Sequence, residues 1–229
     1  MNINRISIVM PVLNEAKTLR NTLGHLRLSD NEELIVVDGG SADRTISIAR
    51  EFTGKVFQTR SGRAGVMNFG AQRAGGDILL FLHADCILPD NAFSLIRKVL
   101  SDKKVAAGGF DLSIDDRRLR FRIIEFGANL RAHATSLLYG DQGMFLRKEI
   151  FDSIGGFADI PLMEDMEISP RLKKLGKIVF TGPPVKASPR RWLEEGVLYT
   201  TLRDWTNAFL YTFLKVAPGK LARFYKEVR

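Results

Sequence analysis

At 229 residues, with 45% hydrophobic content, the chain can bury one large core, which excludes a disordered polyelectrolyte. Its single cysteine, Cys86, permits no internal disulfide, and no run approaches the roughly 18 to 20 apolar residues that span a bilayer, so we expect a reducing, cytoplasmic setting rather than a disulfide scaffold or an integral membrane protein. The net charge of +8 is uneven: residues 186–229 hold nine Lys and Arg against four Asp and Glu, a surplus that suits phosphates, an anionic lipid surface or nucleic acid.

The first half alternates between two periods. "RISIVM" (Arg5 to Met10), "ELIVVD" (Glu33 to Asp38), "KVFQT" (Lys55 to Thr59) and "DILLFLHAD" (Asp77 to Asp85) are short apolar runs expected of strands buried on both faces. Between the first two, Leu19, Leu23 and Leu26 form a helical stripe with Asn14 placed to cap its start. Ile46, Ala49 and Arg50, after Ser41 and Asp43, predict the next helix. Strand and helix alternating in this way imply an α/β fold with a doubly wound, mainly parallel sheet.

Further along, a long helix is expected from about Leu119 to Ala134, with Phe121, Ile124, Phe126 and Leu130 on and near one face. "YGDQGMFLRKEIFDSIGGF" reads as turn, strand, helix and turn; a helix from about Asp165 to Leu175 and the strand "KIVFT" follow. No repeat or clear linker interrupts residues 1–192, expected to form one domain of two halves, about 1–110 and 111–192, with 193–229 as a helical extension. In that extension Leu198, Leu202, Trp205, Phe209, Phe213 and Val216 recur at steps of three and four. Such stripes are mostly core or dimer contacts; Lys215, Lys220, Arg223, Lys226 and Arg229 keep attachment to a membrane surface open.

Ligands of open α/β sheets bind beyond the carboxyl ends of the strands, which gives the polar residues there a common address. In "VVDGGSADRT", Asp38 can accept hydrogen bonds from a base or ribose while Gly39 and Gly40 let the backbone approach, or the segment is a capped turn. Neither G-x-G-x-x-G nor G-x-x-x-x-G-K-[ST] is present, so a divalent cation is the expected holder of phosphates. Alternation along an extended segment puts His83 and Asp85 on one side, able to share a cation and its ligand, and turns Cys86 away. Alone, His83 reads more simply as a satisfied core histidine. Glu164 and Asp165 stand just ahead of a helix as ionised carboxylates, a general base or plain capping residues, and Glu167 reads as surface charge. "SPRRW" offers two arginines and a tryptophan that could clamp a diphosphate under an aromatic lid; Arg60 and Arg63 offer a similar phosphate contact.

Taken in order, "PVLNE", "VVDGGSADRT", "GRAGVMNFGAQRAGGDILLFLHAD", "GMFLRKEIFDSIGGF" and "EDMEISPRLKKLGK" resemble a family 2 glycosyltransferase of the GT-A fold, over about residues 5 to 192. "LLFLHAD" and "SPRRW" followed by an aromatic helix further resemble the subgroup called radical-SAM/selenodomain-associated transferase 2, some of whose members are assigned to arsenosugar biosynthesis. The resemblance implies that Pro11, Asn14 and Glu15 line a nucleotide pocket, that Asp38 contacts the base, that Asp77 supports the nucleotide loop and that Arg63 meets phosphate. It gives Asp85 the metal-binding place for Mn²⁺ or Mg²⁺, with His83 where the family's D-x-D has its first aspartate. It makes Asp165, beside Glu164, the catalytic base, and Arg191-Trp192 the end of a Q-x-x-R-W motif in which Ser188 stands for glutamine, so processivity is not implied.

The reaction implied is inverting transfer of a sugar from a nucleoside-diphosphate sugar to an acceptor hydroxyl. A nucleotidyltransferase would instead want a glycine-rich basic loop after the first strand, and "PVLNEA" offers neither feature. A non-catalytic basic module explains the charge but not the carboxylates gathered at strand ends, which would repel nucleic acid; no nucleic-acid partner is expected.

Overall fold

The β-branched runs and the helical stripes between them become alternating strands and helices, and the computed structural model describes residues 5–222. In order these are β1 (Ile6–Val12), α1 (Leu19–Gly24), β2 (Glu32–Asp38), α2 (Thr45–Arg50), β3 (Val56–Gln58), α3 (Arg63–Gln72) and β4 (Ile78–Phe81). The second half adds β5 (Cys86–Ile87), α4 (Ala92–Leu100), β6 (Val105–Ile114), α5 (Leu119–Thr135), a 3-10 turn (Gly140–Gln142), β7 (Met144–Arg147), α6 (Lys148–Ser153), α7 (Glu164–Lys173) and β8 (Lys177–Ala187). Three helices follow: α8 (Arg190–Glu195), α9 (Val197–Thr212) and α10 (Pro218–Leu221).

One eight-stranded sheet runs β3-β2-β1-β4-β7-β6-β8-β5. Its first four strands are parallel, with Ile6 of β1 opposite Glu32 of β2 and Ile78 of β4. β7 then enters antiparallel between β4 and β6, joining the two halves. Successive residues of β1 feed opposite cores: Ile8 and Met10 pack with Leu19, Ile48 and Ile96 on one face, Val9 with Val66, Phe151 and Ile168 on the other. Burial on both faces is the condition that makes the strands read as continuous apolar runs.

Five local expectations need correction. The fourth strand ends at Phe81, not Asp85, because Cys86 N–H turns back to the His83 carbonyl at 3.2 Å. The start of α1 is closed by the Glu15 carbonyl, which accepts the Leu19 N–H at 2.9 Å, and not by Asn14. In α2 the buried face is Thr45, Ile48 and Ala49, leaving Arg50 in solvent. On α5, Phe121 and Ile124 are buried with Ala128 and Ala132, whereas Phe126 and Leu130 are exposed. The stripe of α9 also faces outward: Thr200, Arg203, Asn207 and Ala208 are its buried residues. Arg223, Lys226 and Arg229 lie outside the described residues. The 193–222 segment is packed on the domain, where Ala208 and Leu221 join Leu137, Met163 and Met166 in a small core.

Candidate active site

The loops after β1 and β2 are stitched together. Asn14 takes φ = 54°, a left-handed conformation that asparagine tolerates better than most residues. Its Oδ1 accepts the Ala42 N–H at 2.9 Å while its own N–H donates to Ser41 Oγ at 2.8 Å. Asp38 is fully buried, and its carboxylate accepts from the Gly40 and Ser41 N–H groups, the Ser41 hydroxyl and Gln58 Nε2. In this arrangement Asp38 shapes the turn, with Gly40 at φ = 108°, where an L side chain would be strained; a Cβ on Gly39 would find only ordinary contacts. Pro11 lies in β1 opposite Val37, beneath these loops.

Glu15 closes the crevice from the other side. Both of its carboxylate oxygens accept from Arg190 Nη2, at 3.0 and 2.9 Å, and Thr18 donates to it at 2.7 Å. Burial pushes its pKa up, and the Asp85 charge adds to this, against the pull of Thr18 and Arg190.

The turn after β4 brings His83, Asp85 and Cys86 together, with their donor atoms within 4.8 Å of one another. Burial, with the nearby charges of Arg63 and Arg191, pushes the His83 pKa down to about 3 and holds the imidazole neutral. The Cys86 thiol is raised well above its ordinary range by burial and by Asp85 and Asp141, so it stays protonated. It is near enough to donate weakly to Asp85 Oδ1 at 3.6 Å and to the Asp141 carbonyl at 3.8 Å, so it points toward the site and not away.

Asp165 sits in the first turn of α7, beyond Met163 in a left-handed conformation at φ = 68°. Its Oδ2 accepts the Gly140 N–H at 2.6 Å and its Oδ1 the Met166 N–H at 2.8 Å. Burial and the adjacent Glu164 charge nevertheless raise its pKa to about 6, against Arg63 and those two N–H groups. Glu164 itself is buried and tied to Arg63 Nε, so the first turns of α3 and α7 are clamped together on one face of the sheet. A Cβ on Gly140 would lie 2.6 Å from His83 Nε2 and 3.3 Å from Asp165 Oδ2. Only glycine lets the imidazole and the carboxylate share that space.

A buried carboxylate poised near neutrality, a neutral imidazole beside a second carboxylate and two interlocked strand-end loops define the crevice. The family model for glycosyl transferase family 2 matches residues 7–158, which carry all of these features except α7 and α8. The chain belongs to glycosyl transferase family 2.

Among relatives of the chain, the probable glycosyltransferase YdaM of Bacillus subtilis is 25% identical over 255 residues, covering 98% of this chain and 59% of YdaM. Glycosyltransferase AglE of Haloferax volcanii is 32% identical over 92 residues, 35% of this chain and 30% of AglE. The chain thus spans 59% or less of these two relatives' length. Among solved structures, S. aureus TarS 1-349 in complex with UDP superposes with a TM-score of 0.64 at 16% identity, covering 96% of this chain and 78% of TarS 1-349. The mannosyltransferase PcManGT from Pyrobaculum calidifontis, in complex with GDP-Man and Mn²⁺, gives 0.62 at 22% identity, covering 80% and 56%. These structures share the GT-A fold expected for the chain.

Within the crevice, Glu15 and Asp85 lie close enough to feel each other's charge, Arg63 and Arg191 act on His83, and Arg63 and Glu164 act on Asp165, while Asn14 joins through the loop after β2. Asp77 does not join them. It lies just before β4, at the strand's amino end, where its carbonyl accepts the Lys148 N–H at 2.8 Å. Trp192 does not form a lid: it is buried with Ile114, Phe121 and Ile124, its ring edge-on to Phe121 at 6.3 Å. Arg191 binds Asp204 at 2.5 Å, so α8 is anchored to α9 at the edge of the crevice.

Three residues beside the crevice carry no expectation from the sequence, Gly140, Asp141 and Arg131, whereas Arg190, the first arginine of "SPRRW", is held by Glu15. Asp141 lies near enough to Asp85, Arg131 and Arg191 to feel their charges, and its pKa is raised, burial being the main cause. The Arg131 guanidinium lies 4.3 Å from the Tyr139 ring centre, with Nε and Nη1 buried and unmatched by an acceptor among the described residues. The "GDQG" turn is the available signal for Gly140 and Asp141.

Proposed function

We propose that the protein transfers a sugar, with inversion, from a nucleoside-diphosphate sugar to an acceptor hydroxyl, using Asp165 as general base. The observation that carries this reading is the Asp165 carboxyl. It is fixed by two backbone N–H groups, raised to about 6, and shares the space left by Gly140 with His83. A base tuned near neutrality is ionised at pH 7 yet basic enough to take a proton in the transition state. As the acceptor oxygen attacks the anomeric carbon, its proton passes to Asp165. The bond from that carbon to the diphosphate breaks, and its electron pair leaves on the phosphate oxygen.

His83 and Asp85 fit a divalent cation, one imidazole and one carboxylate, and the Cys86 sulfur, the soft donor of the three, suits hard Mn²⁺ or Mg²⁺ least. When bound, Mn²⁺ or Mg²⁺ would offset charge on the departing diphosphate, and imidazole favours Mn²⁺ of the two. The Mn²⁺ in PcManGT, with GDP-Man, and the UDP-GlcNAc complex of TarS support a metal-assisted nucleotide-sugar reaction. Arg131 offers buried donors to an anionic group on the Asp141 side. Glu164 and Arg63 position rather than react, because each holds the other. A closer kinship to the radical-SAM/selenodomain-associated transferases rests on "LLFLHAD" and "SPRRW" alone.

Calorimetric titration with UDP and with GDP, with and without Mn²⁺, tests the donor site. Metal-dependent binding of one nucleotide, lost in Asp85→Asn, is expected. Nucleotide binding that ignores both the metal and Asp85 would overturn the metal assignment, and no binding of either nucleotide would overturn the function.

A further inference from the structure

Two helices turn apolar rows to solvent side by side. On α5, Leu119, Ile123, Phe126 and Leu130 are 58% to 74% exposed; on α9, Leu198, Leu202, Trp205 and Phe209 are 40% to 73% exposed. The rotation of α9 is set from its other side. Buried Arg203 pairs with Glu195 at 2.6 Å and Asp204 at 3.1 Å, beside buried Thr200 and Asn207, so the polar face is the one held inward. The rows meet where α5 has Gly127: a Cβ there would lie 2.6 Å from Trp205 Cη2, so the indole rests directly on the α5 backbone.

Scattered apolar residues on a surface need no explanation, but a joined patch of this kind marks a contact. Its surroundings name the partner. Across 117–135 and 197–221, the segments that carry the patch, six exposed Lys and Arg stand against two half-buried acidic residues, Glu125 and Asp204, while Arg203 turns inward and Arg118 and Arg122 are paired with Asp116 and Glu125. Arg117, Arg118, Arg120 and Arg122 crowd the start of α5; Lys215 and Lys220 follow the end of α9. Apolar rows with a tryptophan, bordered by basic residues, suit the boundary between acyl chains and anionic headgroups. A second copy is the poorer match, because a two-fold contact would set the arginine-rich border against itself. No described helix is long and apolar enough to cross a membrane, so the contact is interfacial.

We propose that the outer face of α5 and α9 docks the protein on an anionic phospholipid bilayer. The inner face of α9 packs, through Ala208, in the same small core as Met163 and Met166, which bracket Glu164 and Asp165. Docking would therefore hold the catalytic helix one layer behind the lipid surface.

Flotation of the full chain with vesicles of phosphatidylcholine mixed with phosphatidylglycerol tests this without any activity assay. The wild type should float with the mixed vesicles, and less with phosphatidylcholine alone. Leu202→Glu combined with Phe209→Glu should cut the bound fraction at least about tenfold, and Arg120→Ala about fivefold, with unchanged circular dichroism because all three side chains are solvent-facing. A wild type that stays with the lipid-free fraction, or lipid binding indifferent to the double variant, would overturn the proposal. So would a dimer in light scattering that the double variant splits while the wild type fails to float.

Discussion

Glu33 and Asp165 are buried or half-buried carboxylates placed toward opposite ends of one sheet, and their environments push them in opposite directions. Glu33, near the start of β2, is opposed by burial but held well below its ordinary range, at about 2, by Lys55, Ser7 and the Gly75 N–H. Asp165, beyond the carboxyl ends, is raised to about 6 by burial and the Glu164 charge despite two N–H donors. The first group has every lone pair answered by a partner and fastens the strand ends. The second is left under-compensated, which is what a proton acceptor at neutral pH requires.

The largest expected effect comes from erasing the second carboxylate. Asp165→Asn should lower the rate of sugar transfer about 10² to 10⁴-fold, measured as turnover at saturating donor. Next is Gly140→Ala, whose new Cβ must displace His83 or Asp165; a misplacement of about 1 Å costs roughly 10²-fold, and here the donor affinity should change far less than turnover.

Stability separates the pair by sign. Glu33 has a folded pKa below its unfolded one, so its contribution is present above the unfolded pKa of 4.5 and lost as pH falls toward about 2. Asp165 is the reverse: the native state binds its proton more tightly, so stability falls as pH rises from 3.8 through about 6. Thermal melts at pH 8 should show Glu33→Gln destabilised by about 1 to 3 kcal/mol, and between pH 4 and pH 8 the wild type should lose stability that Asp165→Asn, which does not titrate, keeps. The smallest effect belongs to Asp77→Asn, at the amino end of β4, which should leave nucleotide affinity and turnover within about twofold of wild type; a tenfold loss would return Asp77 to the site.

The parallel half of the sheet was legible because strands buried on both faces cannot hide their composition, and Asp85 and Asp165 stood out as carboxylates where an apolar run or a helix begins or ends. Side-chain direction was legible only where the backbone stayed regular. Strand alternation alone turns Cys86 to the far face, and the turn at His83 reverses it. Gly140 and Asp141 passed for an ordinary turn because what they touch, His83 and Cys86, lies more than fifty residues away in sequence. Trp192 looked like a lid beside two arginines, yet Phe121 and Ile124 decide which way it faces. The period of α9 was evident, but its rotation depends on Glu195 and Asp204 meeting Arg203, which periodicity does not encode.

The most direct test of the central claim is a pH profile of sugar transfer, with the donor found from a panel of UDP- and GDP-sugars. The account predicts that kcat/KM falls about tenfold per pH unit below an apparent pKa near 6, and that the residual activity of Asp165→Asn lacks this acid limb. An Asp165→Asn enzyme that keeps both the limb and turnover within about tenfold of wild type would contradict the assignment of the base.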